Sequence, residues 1–261
     1  MTQPSAIDPR AVVHPEAEIG AGVTIGPFSV IGPGVRIGDG CRLDAHVVIE
    51  GPTELGAENY VSAMVSLGGP PQDLKHKGSP TRLVVGARNR IREFVTLNRG
   101  TEGGGGVTRI GDDNLFMAYC HVGHDCQVGS RAVFANAATL AGHVEVGDEA
   151  TIGAFSGVHQ FCRVARCAFI GGYSVVTQDA LPWVTTVGNR ARAYGLNLVF
   201  LKRRGYPAET VGALKRCYTK LFRSGQLLAP ALDQVEAELG HVPEVRYFVG
   251  FVRASKRGVT R

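Results

Sequence analysis

Residues 110–176 read I GDDNLF MAYCHV GHDCQV GSRAVF ANAATL AGHVEV GDEATI GAFSGV HQFCRV ARCAFI GGYSVV, and every block of six ends on an aliphatic residue or phenylalanine. From Ile110 through Val122, Leu140 and Val158 to Val176, no polar residue interrupts this series. An α-helix would repeat every 3.6 residues, and an up-and-down sheet needs longer runs of alternation between its turns. A period of six instead gives one short strand and one corner per block. Three blocks then close one triangular coil of a parallel β-helix. Side chains alternate along a strand, so the last residue of each block and the one two before it point inward.

The same period runs from Ile7 through Ile19, Ile31, Leu43 and Leu55 to Leu67, often with glycine after the aliphatic residue, as at Gly20, Gly26 and Gly38. Such glycines suit tight corners or close backbone approach. Two stretches break the register: residues 69–84, rich in Gly, Pro and charge, and residues 101–109, which contain Gly103 to Gly106. Both read as loops projecting from corners, either surface decoration or covers over a substrate or subunit boundary. The four glycines alone are weak evidence for phosphate binding, since no strand-to-helix Walker pattern follows. After Val176 the period dissolves, and from about Gly195 helical spacing takes over. Val211, Leu214, Cys217 or Tyr218, and Leu221 share one face after Pro207, and shorter helices are predicted over 231–239 and 243–255. The expected organisation is an all-β solenoid over 1–190 with loops near 69–84 and 101–109, then a helical domain over 191–261 covering the solenoid's open end.

At 261 residues and 44% hydrophobic content the chain can bury a full core, and its 35 glycines fit a repeat rather than disorder. The net charge of +5 gathers in clusters such as Lys75 to Lys77, Arg88 to Arg92 and Lys202 to Arg204. No DNA or RNA motif accompanies them, so the expected anionic partners are a phosphorylated metabolite or an acidic carrier protein, not nucleic acid. Neither a leader nor a long apolar run is present, which predicts a cytoplasmic chain without stable membrane insertion. Cys41, Cys120, Cys126 and Cys162 occupy the inward small-residue position and read as core residues of a reducing compartment.

Residues 18 apart in the 110–176 register share a corner one coil higher, about 4.8 Å away. His124, Gly142 and Gln160 therefore form one column. Asp125, His143 and Phe161 form the next, and Gly123, Ala141 and His159 the one before, with His121 just ahead. Four histidines on one outward edge are hard to ascribe to a core. They point to metal ligation or to general-base catalysis. A zinc site using Cys120 and Cys126 is discounted because both cysteines point inward. A His124 base oriented by Asp125, with the Gly142 amide one coil above for an oxyanion, is the simpler arrangement. It requires the corner to turn His124 and Asp125 together, because neighbours on a strand face opposite ways.

At these residues the chain resembles the bacterial UDP-N-acetylglucosamine O-acyltransferases of lipid A biosynthesis, members of the hexapeptide-repeat left-handed β-helix acyltransferases. The resemblance runs through Gln72-Asp73-Leu74-Lys75, Asn98-Arg99-Gly100-Thr101, His121 to Cys126, Leu140 to Val144, Val158-His159-Gln160-Phe161 and Leu201 to Gly205. It implies a homotrimer with active sites between neighbouring solenoids, needing no metal and no cofactor. By position His124 resembles the general base, Asp125 its orienting partner and Gly142 the amide that polarises a 3-hydroxyacyl thioester on acyl carrier protein. Gln72, Asp73, Lys75, His121, His143 and Gln160 resemble sugar and diphosphate contacts. His159, Asn197, Arg203 and Arg204 resemble nucleotide contacts, some reaching in from the next subunit, and Gly172 the floor of the acyl pocket. Val199 and Arg190 stand where many relatives have Glu and His. The alternatives are a γ-carbonic-anhydrase-like zinc lyase, the N-acyltransferase acting later in the same pathway, which usually has a further N-terminal domain, and a repeat scaffold without activity.

Overall fold

The computed structural model describes residues 5–261. From Ala6–Ile7 to Val175–Val176 the chain winds as a three-sided solenoid of very short strands. Each strand pairs in parallel with strands three places away in sequence, stacking 9, 9 and 8 strands on the three sides, and two later strands bring the first of these sheets to 11. The register is the one that the six-residue period demands. His121 pairs with Thr139 and Thr139 with Gly157, while Val122, Leu140 and Val158 stack on the inner side. All three aliphatic side chains are buried, as are Cys41, Cys120, Cys126 and Cys162. Cys126 Sγ donates to Ala141 O at 3.1 Å, and burial pushes its thiol up to about 12, so it stays protonated and chemically quiet.

From Gly22 on, most corners turn on one residue in the left-handed backbone region, and most of these are not glycine. That conformation costs a side chain about 1 kcal/mol. Coil-to-coil hydrogen bonds offset it, as where His143 N donates to His124 O at 2.9 Å. The corner residues sort by edge. Between the 11- and 9-stranded sheets stand Phe28, Phe94, Tyr119, Phe155 and Tyr173, all exposed and partly stacked, with Phe94 and Tyr119 4.8 Å apart. Between the 8- and 11-stranded sheets stand Glu58, Arg88, Asp113, Arg131 and Glu149, laced by pairs such as Arg88 Nε to Asp113 Oδ1 at 2.8 Å. The remaining edge carries Asp125, His143 and Phe161.

Both register breaks spring from this last edge. The first loop lies between Ser66–Gly69 on the 9-stranded sheet and Arg82–Val85 on the 8-stranded sheet, two coils before Asp125. The second lies one coil nearer, between Thr96–Asn98 and Val107–Ile110, and contains the 3-10 turn Glu102–Gly104. Strand pairing resumes at Arg82 and Val107, ahead of the sequence expectation, because both segments align with flanking strands before their inward residues return to register. His76 Nδ1 lies 2.8 Å from Glu102 Oε2, and Asn98 Nδ2 donates to Pro70 O at 2.6 Å, so the two loops are joined to one another.

The solenoid does not pass directly into helix near Gly195. Val184–Val187 and Arg192–Leu196 form an antiparallel pair that supplies the last two strands of the 11-stranded sheet and covers Phe169–Ile170. That pairing satisfies an edge that would otherwise expose its backbone groups. Four helices follow: α1 (Leu198–Arg203), α2 (Ala208–Phe222), α3 (Leu228–Leu239) and α4 (Pro243–Arg253). Leu214, Cys217, Val235, Val245 and Phe248 form a second core that packs on Trp183 and Leu181. Arg166 joins the two parts, its guanidinium 4.8 Å from the ring centres of both Trp183 and Tyr247.

An amide ladder stiffens the interior. Asn59 Oδ1 accepts from Asn89 N and Nδ2, and Asn89 Oδ1 accepts from Asn114 N and Nδ2, all at 2.9–3.0 Å and all buried. Asn89→Val leaves Asn114 N and Nδ2 without an acceptor in the core and reduces Asn59 Oδ1 to the single bond from the residue-89 amide. We expect it to cost about 2–4 kcal/mol of folding stability, read as a lower midpoint in chemical denaturation.

Candidate active site

The candidate site begins as an ordinary corner, Gly123-His124-Asp125-Cys126, between His121–Val122 and Gln127–Val128. Asp125 takes φ 61°, which swings its side chain back beside His124. His124 Nδ1 and Asp125 Oδ2 are 2.8 Å apart. The turned corner thus makes the pair that an extended strand forbids. Asp125 does not face solvent as its corner position predicts: it is 5% exposed, because the second loop folds over it. Thr101 N donates to Oδ1 at 2.8 Å and Thr101 Oγ1 to Oδ2 at 2.7 Å. Asp125 N donates to Thr108 Oγ1 at 2.8 Å.

The columns stack as the register requires. His143 lies edge-on to His124, ring centres 5.0 Å apart, and stacks on Phe161 at 4.5 Å. His143 Nε2 is 3.7 Å from Asp125 Oδ2. The His124 ring covers Gly142 so closely that a Cβ there would come within 2.6 Å of Nε2. Among the described residues, the Gly142 N–H donates to no protein group. His121, on the adjoining strand, is 2.7 Å from Thr96 Oγ1 through Nδ1, and Gln160 lies exposed two coils beyond His124. His159 stands beside it, 3.5 Å from an Arg257 nitrogen.

The structure therefore gathers His121, His124, Asp125, Gly142, His143, His159 and Gln160 on one edge, with Gln72, Asp73 and Lys75 in the first loop along that edge. Lys75 N donates to Asp73 Oδ1 at 2.9 Å, which folds this segment into a local turn. Other expected contacts lie elsewhere. Gly172 sits beside Tyr173 at the aromatic edge. Asn197 caps α1 by accepting from Phe200 N at 3.0 Å, and Arg204 pairs with Glu149 at 2.7 Å on the charged edge, while Arg203 is exposed. The sequence assigns no role to Thr108, or to Thr101 beyond its place in a family motif, because an inserted loop has no register. The glycines around Thr101 were the signal: Gly104 has no room for a Cβ against the Asp125 carboxylate.

One group among the described residues, His124, Asp125 and His143, has ligand atoms close enough to hold a metal ion. Both Asp125 oxygens already accept hydrogen bonds, however, and His124 Nδ1 is engaged with one of them. The donor set thus fits a hydrogen-bonded dyad better than an open metal site.

Residues 179–260 match the family "Udp N-acetylglucosamine O-acyltransferase; Domain 2", and residues 108–142 match the bacterial transferase hexapeptide repeat. An acyl-(acyl-carrier-protein)–UDP-N-acetylglucosamine O-acyltransferase of Alkalilimnicola ehrlichii is 50% identical over 255 residues, 98% of this chain and 99% of that one. The chain belongs to the UDP-N-acetylglucosamine O-acyltransferase family. UDP-N-acetylglucosamine acyltransferase structures agree. That of Bacteroides fragilis gives a TM-score of 0.95 at 37% identity, over 97% of this chain and 99% of that one. The O-acyltransferase of Moraxella catarrhalis gives 0.94 at 39%, over 98% and 99%. The solenoid is accordingly the family's left-handed parallel β-helix with a helical C-terminal part. These relatives favour an acyltransferase over the zinc lyase.

Two outcomes follow from the geometry. Gly142→Ala drives a methyl group into the His124 imidazole, and displacement of a reacting group by about 1 Å costs on the order of 100-fold in rate. We expect that loss in steady-state turnover with the thermal midpoint little changed. Burial, and secondarily the charge of His124, lowers the pKa of His121 from the ordinary 6.5. Unfolded His121 takes up a proton near that pH while folded His121 resists, so its contribution to stability is full above the unfolded value and lost as pH falls below it. The thermal midpoint of His121→Asn should decline less between pH 7 and 5 than that of the parent chain.

Proposed function

We propose that the chain transfers a 3-hydroxyacyl group from the thioester of acyl carrier protein to the 3-hydroxyl of UDP-N-acetylglucosamine, the first step of lipid A biosynthesis. The observation that carries this reading is the His124–Asp125 dyad lying against the unoccupied Gly142 amide, in a chain 50% identical to the Alkalilimnicola enzyme. Asp125 accepts from Nδ1 and so leaves Nε2 as the base. Nε2 takes the 3-hydroxyl proton as the oxygen attacks the thioester carbon. The carbonyl oxygen becomes an oxyanion facing the Gly142 N–H. Collapse breaks the carbon–sulfur bond, and the leaving thiolate receives the proton from the imidazolium. No covalent enzyme intermediate forms.

The remaining assignments extend this reading. Gln72, Asp73, Lys75, His121, His143 and Gln160 hold the sugar and diphosphate along the catalytic edge. His159, Asn197, Arg203 and Arg204 serve the nucleotide, the last three from a neighbouring subunit, since in their own chain they lie away from the dyad. Gly172 leaves room for the acyl tail in the same shared cleft. A homotrimer is the assembly this division of labour needs, and the exposed ridge of Phe94, Tyr119, Phe155 and Tyr173 supplies apolar surface for it. Among the described residues no helix is long and apolar enough to cross a membrane, and we place the enzyme in the cytoplasm.

The test is transfer from a mixture of 3-hydroxyacyl carrier thioesters to UDP-N-acetylglucosamine, with products identified by mass. The parent chain should yield the 3-O-acyl sugar nucleotide, and His124→Ala should lower turnover at least ~1,000-fold while keeping its oligomeric mass. Wild-type-like turnover in that variant removes His124 from the mechanism.

A further inference from the structure

The second inserted loop makes more contact with Asp125 than a surface decoration requires. One residue, Thr101, holds both carboxylate oxygens, its amide on Oδ1 and its hydroxyl on Oδ2. The hydroxyl oxygen in turn accepts from Gly104 N at 3.1 Å, which leaves its proton for Asp125. Gly100 and Gly104 pack against the same carboxylate where no side chain fits. The loop is itself anchored: Glu102 binds His76 and Lys77 N, and its carboxyl is held down to about 2 by its own backbone amide and then by His76.

The second imidazole gives this grip its chemical meaning. Oδ2 accepts from His124 at 2.8 Å, while His143 Nε2 stands 3.7 Å from the same oxygen. A carboxylate free to rotate about its own χ angles could serve either ring, and its time would be divided between them. Two donors from one fixed residue set the plane of the carboxylate and aim Oδ2 at His124. We propose that Thr101 is a positioning residue of the acyl transfer, acting through Asp125 to select His124 as the base. This inference rests on the O-acyl transfer proposed above. It makes the glycine loop at 101–106 part of the catalytic apparatus, although none of its side chains reaches the reacting atoms.

Thr101→Val keeps the shape and the backbone donor but removes the hydroxyl. We expect kcat to fall about tenfold, in the range of one lost charge-assisted hydrogen bond, with the KM for UDP-N-acetylglucosamine within twofold of the parent. Thr101→Ser should recover most of the kcat. In an Asp125→Ala background, Thr101→Val should lower kcat no further, because its effect passes through the missing carboxylate. Equal kcat in parent and Thr101→Val would overturn the proposal, as would an undiminished tenfold loss on top of Asp125→Ala. So would a Thr101→Ser variant as slow as the valine variant. The parent chain is assayed first: absence of acyl transfer there defeats the functional reading, whereas transfer with an indifferent Thr101 defeats only this one.

Discussion

Coil-on-coil hydrogen bonding is the constraint from which the rest of the molecule follows. Gln127 N reaches Val144 O, and Glu145 N reaches Cys162 O, so each coil repeats the position of the one below at about 4.8 Å. A residue's neighbours are then fixed by counting, and a side chain cannot move along the axis without breaking backbone bonds on both sides. Such stacking suits a reaction that must hold a base, an amide donor and a long substrate in line. His124, Gly142 and Gln160 occupy three successive levels of one column, each level set by parallel pairing rather than by side-chain packing.

The stack also lets three edges of one solenoid do different things. All use left-handed residues to turn, yet these are mostly aromatic on one edge and mostly charged on the second, and include Asp125 and His143 on the third. An exposed corner side chain contributes little to the interior, so its identity is free to vary from edge to edge. The interior enforces the opposite: Val122, Leu140, Val158 and the small residues two places before them are confined by the triangular cross-section. On the third edge the turn also joins side chains, because φ 61° at Asp125 converts sequence neighbours into a hydrogen-bonded pair.

Much of this could be read from the sequence because a solenoid turns a period into coordinates. The columns of His124 and Asp125, the inward cysteines and the helical spacing from Val211 to Leu221 all depend on local repetition, and all reappear in the structure. The reading stopped where repetition stopped. The strand Arg192–Leu196 and the short α1 lie beyond the last coil, where pairing with Val184–Val187 decides the conformation and no period announces it. The insertions near 69–84 and 101–109 are recognisable in the sequence, but their destination depends on contacts such as Asn98 with Pro70 and Thr101 with Asp125. Asp125 was assigned to an outward corner for the same reason: its burial comes from a loop that lies outside the register.

The dyad is therefore held by two unlike devices, a stacked corner below and an irregular loop above. The corner alone would leave Asp125 in water, where its carboxylate would be solvated and its attraction for the imidazole diluted. Covering it with a side-chain-rich segment would crowd the same space and block His124. A glycine-rich loop resolves the conflict. It brings backbone and one hydroxyl to the carboxylate, covers it from one side and leaves the imidazole lying against Gly142. The irregular insertion thus supplies what the repeat cannot: a buried, oriented carboxylate on the outside of a solenoid.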